Sequence, residues 1–282
     1  MSYNCFDVTI ENQVAHIVMS RPEKRNNMNR DFWNELPEIV QDIDTNAKAR
    51  VIVLSSTGPH FCGGLDVSMF SNGAVKDDDD AVIRRRQRGV NFLNTVAVMQ
   101  DSFTALENCR LPVLVAIQGG CIGGGVDLIT ACDMRYATAD AFLTIYETKI
   151  GMTADVGTFP RIVKLMPEGV VRELAYTGRR MPAAEAQQLG LINRVYDDHQ
   201  ALLAGVLEIA HEVAANAPLA VHGCKRAIQY ARDHSTQEGL EWIGMWNASM
   251  LQNDEILEAM SAAQEKRSGA FADLPIIRHR VG

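Results

Sequence analysis

The sequence lacks the residue patterns that commonly hold metal ions or cross membranes. Its six cysteines form no C-x-x-C pair and its seven histidines form no H-x-x-x-H pair, so no zinc site is indicated. No stretch approaches the roughly 18 consecutive apolar residues from which a membrane-spanning helix is built. We therefore predict a protein with no bound metal ion and no membrane partner.

The chain also lacks a surplus of positive charge. Its 27 basic residues are outnumbered by 35 acidic ones, which gives a formal net charge of −8 and an isoelectric point near 5.4. Because nucleic acids are bound through basic surfaces, we expect no nucleic-acid partner. This net charge is compatible with a small phosphorylated ligand, because a few basic side chains at one site are enough to bind it. No apolar signal segment follows Met1, which predicts a reducing cytoplasmic location.

What the sequence does contain is an alternation of strands and helices. Short β-branched or apolar runs predict buried strands at residues 14–20, 51–56 and 111–118. Between the first two, apolar residues recur every three or four positions over residues 29–47, which predicts a helix. A second, longer helix is expected over residues 81–109. This order indicates an α/β core.

The later part of the chain has a different predicted pattern of secondary structure. Strands are predicted at residues 134–137 and 142–145, and from residue 160 onward the pattern is almost wholly helical. We divide the chain into a core with the active site, residues 1–196, and a helical C-terminal region, residues 197–282. Helices predicted at 202–215 and 236–263 are amphipathic, so the apolar face of each must pack against another surface. That surface is either the chain's own core or another copy of the chain.

Two glycine-rich loops are the first candidates for a binding site. The segment GGCIGGGVD, residues 119–127, follows a buried strand and opens a helix, so its main-chain N–H groups can face negative charge. Its spacing is neither the dinucleotide G-x-G-x-x-G nor the phosphate loop that ends in G-K-[ST]. The segment FCGGLDVSMF, residues 61–70, also places two glycines after a strand. The two loops could face one oxygen.

These motifs together resemble the crotonase (enoyl-CoA hydratase/isomerase) family. The likeness continues through Arg21 and Pro22, through ACDMRY at residues 131–136 and through AEAQQLGLINRV at residues 184–195, and it spans residues 6–271. It implies an α/β fold: a crotonase-like spiral of ββα repeats with a helical C-terminal region that drives trimerisation. Such trimers usually pair, so the resemblance implies a homotrimer or homohexamer.

The resemblance also implies the catalytic groups. A thioester oxygen would lie between the main-chain N–H groups of Leu65 and Gly124. Hydratases of the family use two glutamates, at the positions of Asp127 and Glu147 here, and carry a small residue where this chain has Asp155. Three acids at these positions resemble the dienoyl-CoA isomerases of the family, which act in fatty acid β-oxidation.

The implied reaction moves a 3,5-diene to a 2,4-diene, which requires removal of a proton at C2 and its return at C6. We assign Glu147 as the base at C2 and Asp155 as the acid at C6, with Asp127 polarising the dienolate. The residues leave open whether Glu147 and Asp155 have the opposite roles. Two alternatives also stay open: a 2-enoyl-CoA hydratase, and a non-catalytic acyl-CoA-binding or scaffold member of the family.

The substrate implied by the resemblance is an acyl-CoA thioester, with coenzyme A as part of the substrate and no separate cofactor. Adenine would pack against main chain of the first glycine loop, and basic and C-terminal residues would lie near the phosphates. The residues expected to contact coenzyme A are Lys24, Arg25, Leu65, Asp66, Val67, Lys266 and Phe271.

Overall fold

The computed structural model describes residues 3–66, 68 and 81–278, and Val67, expected at the coenzyme A site, lies outside them. The strands, in chain order, are β1 Phe6–Glu11, β2 Val14–Met19, β3 Val51–Ser56, β4 Val113–Ile117, β5 Gly120–Ile122, β6 Met134–Thr138, β7 Phe142–Thr144, β8 Met181–Pro182 and β9 Arg194–Tyr196. The helices are α1 Arg30–Thr45, α2 Ala81–Asn108, α3 Gly124–Thr130, α4 Thr158–Ile162, α5 Glu168–Thr177, α6 Ala183–Gln188, α7 His199–Ala214, α8 Pro218–Asp233, α9 Thr236–Met250 and α10 Asn253–Glu265.

Six strands form the central sheet, in the order β1-β2-β3-β4-β6-β9. The first pair is an antiparallel hairpin, and every later neighbour is parallel. Strands β3 and β4 are buried along their whole length, as expected for parallel strands covered on both faces. A smaller sheet, β5-β7-β8, lies beside the central one and carries the second glycine loop.

The two faces of the central sheet are covered by different helices. Because side chains alternate along a strand, Ile52 and Leu54 face a core that includes α1 and α2. On that side, the rings of Trp33 and Phe103 pack with their centroids 5.1 Å apart. Val53 faces the opposite way and packs in a second core with Leu202 and other residues of α7.

Most predicted elements are present within two or three residues of their expected bounds. The strand at 51–56 is confirmed, and the helix expected over 29–47 is α1, where Asn29 caps the first turn by accepting from the Phe32 N–H. Strands β1, β5, β8 and β9 were not predicted. Strand β1 is largely exposed and the others are at most three residues long, so each carries little hydrophobic pattern.

The chain after residue 160 is almost wholly helical, as predicted, and the two short strands β8 and β9 within it complete the two sheets. One prediction about the C-terminal region is wrong. The single helix expected over 236–263 is two helices, since the backbone becomes extended at Leu251, with φ −62° and ψ 128°, and α10 begins two residues later. No proline or glycine marks this break, which is why the apolar pattern ran through it.

Helices α7 and α9 both pack against other elements of their own chain. Helix α7 packs on the central sheet of its own chain. Trp242 and Trp246 of α9 stack at 5.4 Å and pack on α8, where Gly223 makes room for the indole. The boundary between residues 196 and 197 stays a prediction. In the described ranges, 3–66, 68 and 81–278, no helix has the length and apolar character to span a membrane.

Candidate active site

A cavity of about 450 Å³ opens where three loops meet at the ends of strands. Residues 63–65 follow β3, residues 122–124 follow β5, and residues 146–156 follow β7. Trp33 of α1 contributes to the wall. Because the carboxyl ends of neighbouring parallel strands lie at one edge of a sheet, loops far apart in the sequence converge here.

The two glycine loops are joined main chain to main chain. The Cys62 N–H donates to the Gly120 carbonyl at 3.1 Å, and the Ile122 N–H donates to the Cys62 carbonyl at 3.0 Å. Gly64 has φ +87°, and a Cβ atom there would lie 2.9 Å from the Ile122 carbonyl oxygen. A side chain at this position would therefore push the loops apart, so glycine is required by both contact and backbone conformation.

The main-chain N–H groups of Leu65 and Gly124 lie on facing sides of this junction. A Cβ built on Gly124 would be 3.7 Å from the Leu65 nitrogen, and one built on Gly64 would be 3.7 Å from the Gly124 nitrogen. Gly124 begins α3, so its N–H has no acceptor within the helix. Within the part of the chain that is described, neither N–H donates to another protein atom, and both residues line the cavity.

Asp127 lies in the first turn of α3 and is 2% exposed. Its Oδ1 accepts a hydrogen bond of 2.7 Å from the Thr158 N–H. Burial, and to a smaller extent the nearby charge of Asp155, raise the pKa of Asp127. The Thr158 hydrogen bond opposes this rise, and the combined result is a pKa of about 6. Asp127 is thus a fixed acid at the cavity wall whose ionised form is poorly solvated.

Glu147 begins a short 3₁₀ helix, Glu147–Ile150, directly across from Gly123. A Cβ at Gly123 would lie 3.1 Å from Glu147 Oε1, so the glycine leaves room for the carboxyl group. Glu147 Oε2 is buried and has no hydrogen-bond partner among the described residues. Burial, and then the charge of Asp127, raise the pKa of Glu147 to about 7. A carboxyl group with that pKa can accept and release a proton near neutral pH.

Asp155 is the least buried of the three acids. Burial raises its pKa above the ordinary value of 3.8, and a hydrogen bond from its own main-chain N–H opposes the shift. Its carbonyl oxygen accepts a hydrogen bond of 2.6 Å from the Gln100 side chain of α2. All three predicted acids therefore line one cavity, together with Leu65 and Gly124.

The residues predicted to contact coenzyme A are only partly gathered at this cavity. Arg25 and Leu65 line it, while Lys24 is exposed at the end of a 3₁₀ helix outside the wall. Asp66 follows Leu65 and accepts from the Ser68 N–H at 3.0 Å. In the single chain, Lys266 and Phe271 are not in the cavity wall.

The segment with Phe271 is tied to the core elsewhere. Arg50 donates to the Phe271 carbonyl at 2.6 Å and to Asp273 at 2.7 Å. These hydrogen bonds hold the C-terminal segment beside the start of β3, Val51–Ser56.

Sequence reasoning missed two cavity residues. Trp33 is 4% exposed, and its indole nitrogen has no hydrogen-bond partner among the described residues. Arg180 follows the small turn at Gly178 and places its guanidinium 4.2 Å from the centre of the Phe142 ring, a cation–π distance. Neither residue belongs to a motif. Trp33 was predicted only as part of the apolar face of a helix, and Arg180 carried no signal beyond its charge.

Comparison with known proteins agrees with this arrangement. The enoyl-CoA hydratase/isomerase family model matches residues 9–274, and the chain therefore belongs to that family. The match confirms the predicted family and α/β fold class. An enoyl-CoA hydratase structure from Bacillus anthracis superposes with a TM-score of 0.83 at 28% identity, covering 95% of this chain and 99% of the other.

Two curated relatives have names that specify one activity within this family. It is 41% identical over 268 residues to the mitochondrial delta(3,5)-delta(2,4)-dienoyl-CoA isomerase of Mus musculus, which covers 94% of this chain and 81% of the mouse protein. It is 38% identical over 276 residues to the peroxisomal delta(3,5)-delta(2,4)-dienoyl-CoA isomerase of Arabidopsis thaliana, which covers 97% and 99% of the two chains.

The names of these relatives correct one prediction. The mouse and Arabidopsis proteins are called mitochondrial and peroxisomal, which points to an organelle, so the predicted cytoplasmic location is wrong. The prediction depended on the lack of an apolar signal segment after Met1. That lack argues against the secretory route and does not distinguish one reducing compartment from another.

Proposed function

We propose that this protein isomerises 3,5-dienoyl-CoA to 2,4-dienoyl-CoA in fatty acid β-oxidation, using carboxyl groups and main-chain amides with no metal ion or separate cofactor. One observation carries the proposal: Asp127, Glu147 and Asp155 line the same cavity as the N–H groups of Leu65 and Gly124. The identity to two proteins named dienoyl-CoA isomerases supports it independently.

The reaction begins at C2 of the acyl chain. Glu147, partly ionised near its pKa of about 7, takes the C2 proton, and the electron pair of the broken C–H bond spreads over the thioester and the diene. The N–H groups of Leu65 and Gly124 donate to the thioester oxygen as it gains charge. One such donor is typically worth about 3 kcal/mol of barrier.

The reaction ends at C6. Asp155 gives its proton to C6, the double bonds settle at positions 2 and 4, and the thioester carbonyl reforms. The raised pKa of Asp155 favours the protonated form that a donor needs. Asp127, held by the Thr158 N–H, orients the neighbouring acids and keeps the pKa of Glu147 high through its charge.

We further propose that the acyl-CoA is held partly by another copy of the chain in a homotrimer or homohexamer. Arg25 and Arg180 both line the cavity within one chain. Lys266 and Phe271 are away from the cavity of their own chain, and in an oligomer they would serve a neighbour. This assignment, like the contacts proposed for Lys24 and Asp66, concerns binding and leaves the proton transfers unchanged.

The test compares two substrates and one matched pair of variants. Purified protein is incubated with a 3,5-dienoyl-CoA and with crotonyl-CoA, and the conjugated diene is followed by ultraviolet absorbance. We expect rapid isomerisation by the wild type and a loss of about 10²- to 10⁴-fold in Asp155→Asn. Asp140→Asn, an exposed acid in the turn after β6, Met134–Thr138, is the control and keeps the rate.

The other outcomes identify the alternatives. Strong hydration of crotonyl-CoA without a diene shift would establish the 2-enoyl-CoA hydratase. Unchanged acyl-CoA affinity in Glu147→Gln, with no turnover of either substrate by the wild type, would establish the non-catalytic binding protein.

A further inference from the structure

A second cleft, of about 520 Å³, lies behind the segment that carries Asp155. Ala154, Asp155 and Val156 belong to the walls of both this cleft and the active-site cavity. The opposite wall of the cleft is α2, through Gln100 and Thr104. Among the described residues, the two spaces therefore share this three-residue segment.

The cleft has both polar and apolar walls, and its cations are held in ion pairs. Arg161 donates to Thr104 Oγ1 at 3.1 Å and to Glu107 at 3.0 Å, and Arg232 reaches Glu107 at 2.8 Å. Lys164 is paired with Asp233. Three cations thus share two acids. Water, which can donate to the acids and accept from the cations, is an occupant that fits these side chains.

The rim of the cleft faces solvent. Gln100, Lys164 and Arg232 are exposed, whereas Thr104 and Arg161 are half-buried. Water can thus reach the outer side of Asp155 from a direction other than the substrate entrance. Glu147, by contrast, lines only the active-site cavity, and its Oε2 is buried.

The proposed isomerisation gives a function to this difference in water access between Asp155 and Glu147. In each turnover the C2–H bond breaks and its proton goes to Glu147, while the O–H bond of Asp155 breaks and its proton goes to C6. The product is an isomer of the substrate, but the enzyme is left with Glu147 protonated and Asp155 ionised. Before the next turnover, Glu147 must lose a proton and Asp155 must gain one.

We propose that the second cleft is the path by which solvent protons return to Asp155 between turnovers. This inference rests on the proposed function. Water in the cleft gives a proton to Asp155 while Glu147 loses its proton through the substrate entrance after product leaves. In this scheme Thr104 contributes a hydroxyl group to the cleft wall, and Gln100 is a positioning residue that holds the Asp155 main chain through its 2.6 Å hydrogen bond.

The test is to fill the cleft without changing the acids. Thr104→Leu puts apolar bulk into the cleft, and Thr95→Leu makes the same change at an exposed position of α2, Ala81–Asn108. Stopped-flow diene absorbance separates the first turnover from later ones. We expect Thr104→Leu to form one product per active site at the wild-type rate and then to slow by about tenfold. The wild type and Thr95→Leu turn over without this burst.

A second variant and an isotope experiment complete the test. Thr104→Met, which puts a flexible apolar side chain at the same place in the cleft wall, is expected to show the same burst, and it decides the question if Thr104→Leu does not fold. In D₂O, unlabelled substrate should gain one deuterium at C6. Linear turnover at the wild-type rate in the folded cleft variants, or transfer of the original C2 hydrogen to C6, would overturn the proton path. Absence of any diene shift in the wild type would instead overturn the proposed function.

Discussion

At the scale of single residues, the site depends on acids that the fold keeps poorly solvated. Burial is the largest cause of the raised pKa of Asp127, Glu147 and Asp155 alike. Such groups reduce stability when they ionise, because the charged form loses more solvation on folding than the neutral form does. The chemistry and the stability of this protein should therefore respond to the same titrations.

Glu147→Gln should flatten the pH dependence of stability. The pKa of Glu147 is raised from 4.5 to about 7 in the folded protein, so its stabilising contribution is complete below the lower value and is lost as the pH rises through the higher one. Between these limits, we expect the wild type to lose about 3 kcal/mol more of its unfolding free energy than the variant. Urea unfolding at a series of pH values measures this, and parallel curves would contradict it.

Gly123→Ala should damage catalysis more than folding. The added Cβ would lie 3.1 Å from Glu147 Oε1 at a residue with φ +52°, so the carboxyl group must move. We expect the isomerisation rate to fall by about 10²-fold and the unfolding free energy by about 1 kcal/mol. Gly169→Ala on α5, where a Cβ meets nothing within 4 Å, is the control for both measurements. Equal rates in the two variants would show that Glu147 tolerates displacement.

At the scale of secondary structure elements, hydrophobic pattern predicted what is long and buried. Helix α1 was placed from its sequence period, and strands β3 and β4 from their apolar runs, because each packs against the core along its length. The short strands β5, β8 and β9 are defined by pairing with distant strands. Long-range pairing of this kind leaves no periodic trace in a run of two or three residues.

The active site also contains residues that could be predicted from the sequence and contacts that could not. Asp127, Glu147 and Asp155 could be named because they stand at positions of a resemblance to a known family, and no spacing rule joins them. The contact between Thr158 and Asp127 spans 31 residues, and that between Gln100 and Asp155 spans 55. Such contacts depend on how loops meet in three dimensions, which is why the second cleft and Arg180 were not predicted.

Lys225→Met should lower the stability of the protein and leave its activity unchanged. Lys225 of α8 is 6% exposed and donates to the carbonyls of Leu106 and Leu111 at 3.0 and 2.8 Å. Its ammonium group also lies 2.9 Å from Asp133. Removing it leaves Asp133 without its cation and takes the charged donor from the two carbonyls, so we expect a loss of about 3 kcal/mol in unfolding free energy.

The turnover number of folded Lys225→Met should stay at the wild-type value, because the side chain does not line the cavity. Lys48→Met is the matched control: Lys48 also forms an ion pair, with Asp42 at 2.7 Å, but its side chain is 43% exposed. That substitution should cost less than about 1 kcal/mol. Similar losses in the two variants would mean that the buried pair is no more important than a surface pair.

At the scale of the whole molecule, the helical C-terminal region exposes more apolar surface than one chain needs. The tryptophans of α9 pack on α8, yet Met245 on the same helix is 65% exposed. On α10, Leu257 and Met260 are 64% and 66% exposed, and their spacing of three places them on one side of the helix. Large exposed apolar patches mark association sites, which supports the proposed trimer or hexamer.

Leu257→Glu combined with Met260→Glu should therefore dissociate the oligomer. Light scattering after size exclusion should give the wild type a mass of about 93 kDa, three times the chain mass of 31.1 kDa, or twice that value. The variant should elute as a single chain, because charges cannot be buried at an apolar contact without partners. Ala259→Glu with Ala263→Glu adds the same charge to α10 at two exposed positions whose spacing of four places them on another side of the helix, and it should leave the mass unchanged. A monomeric wild type would show that these apolar residues serve another purpose, and that Lys266 and Phe271 do not complete the site of a neighbouring chain.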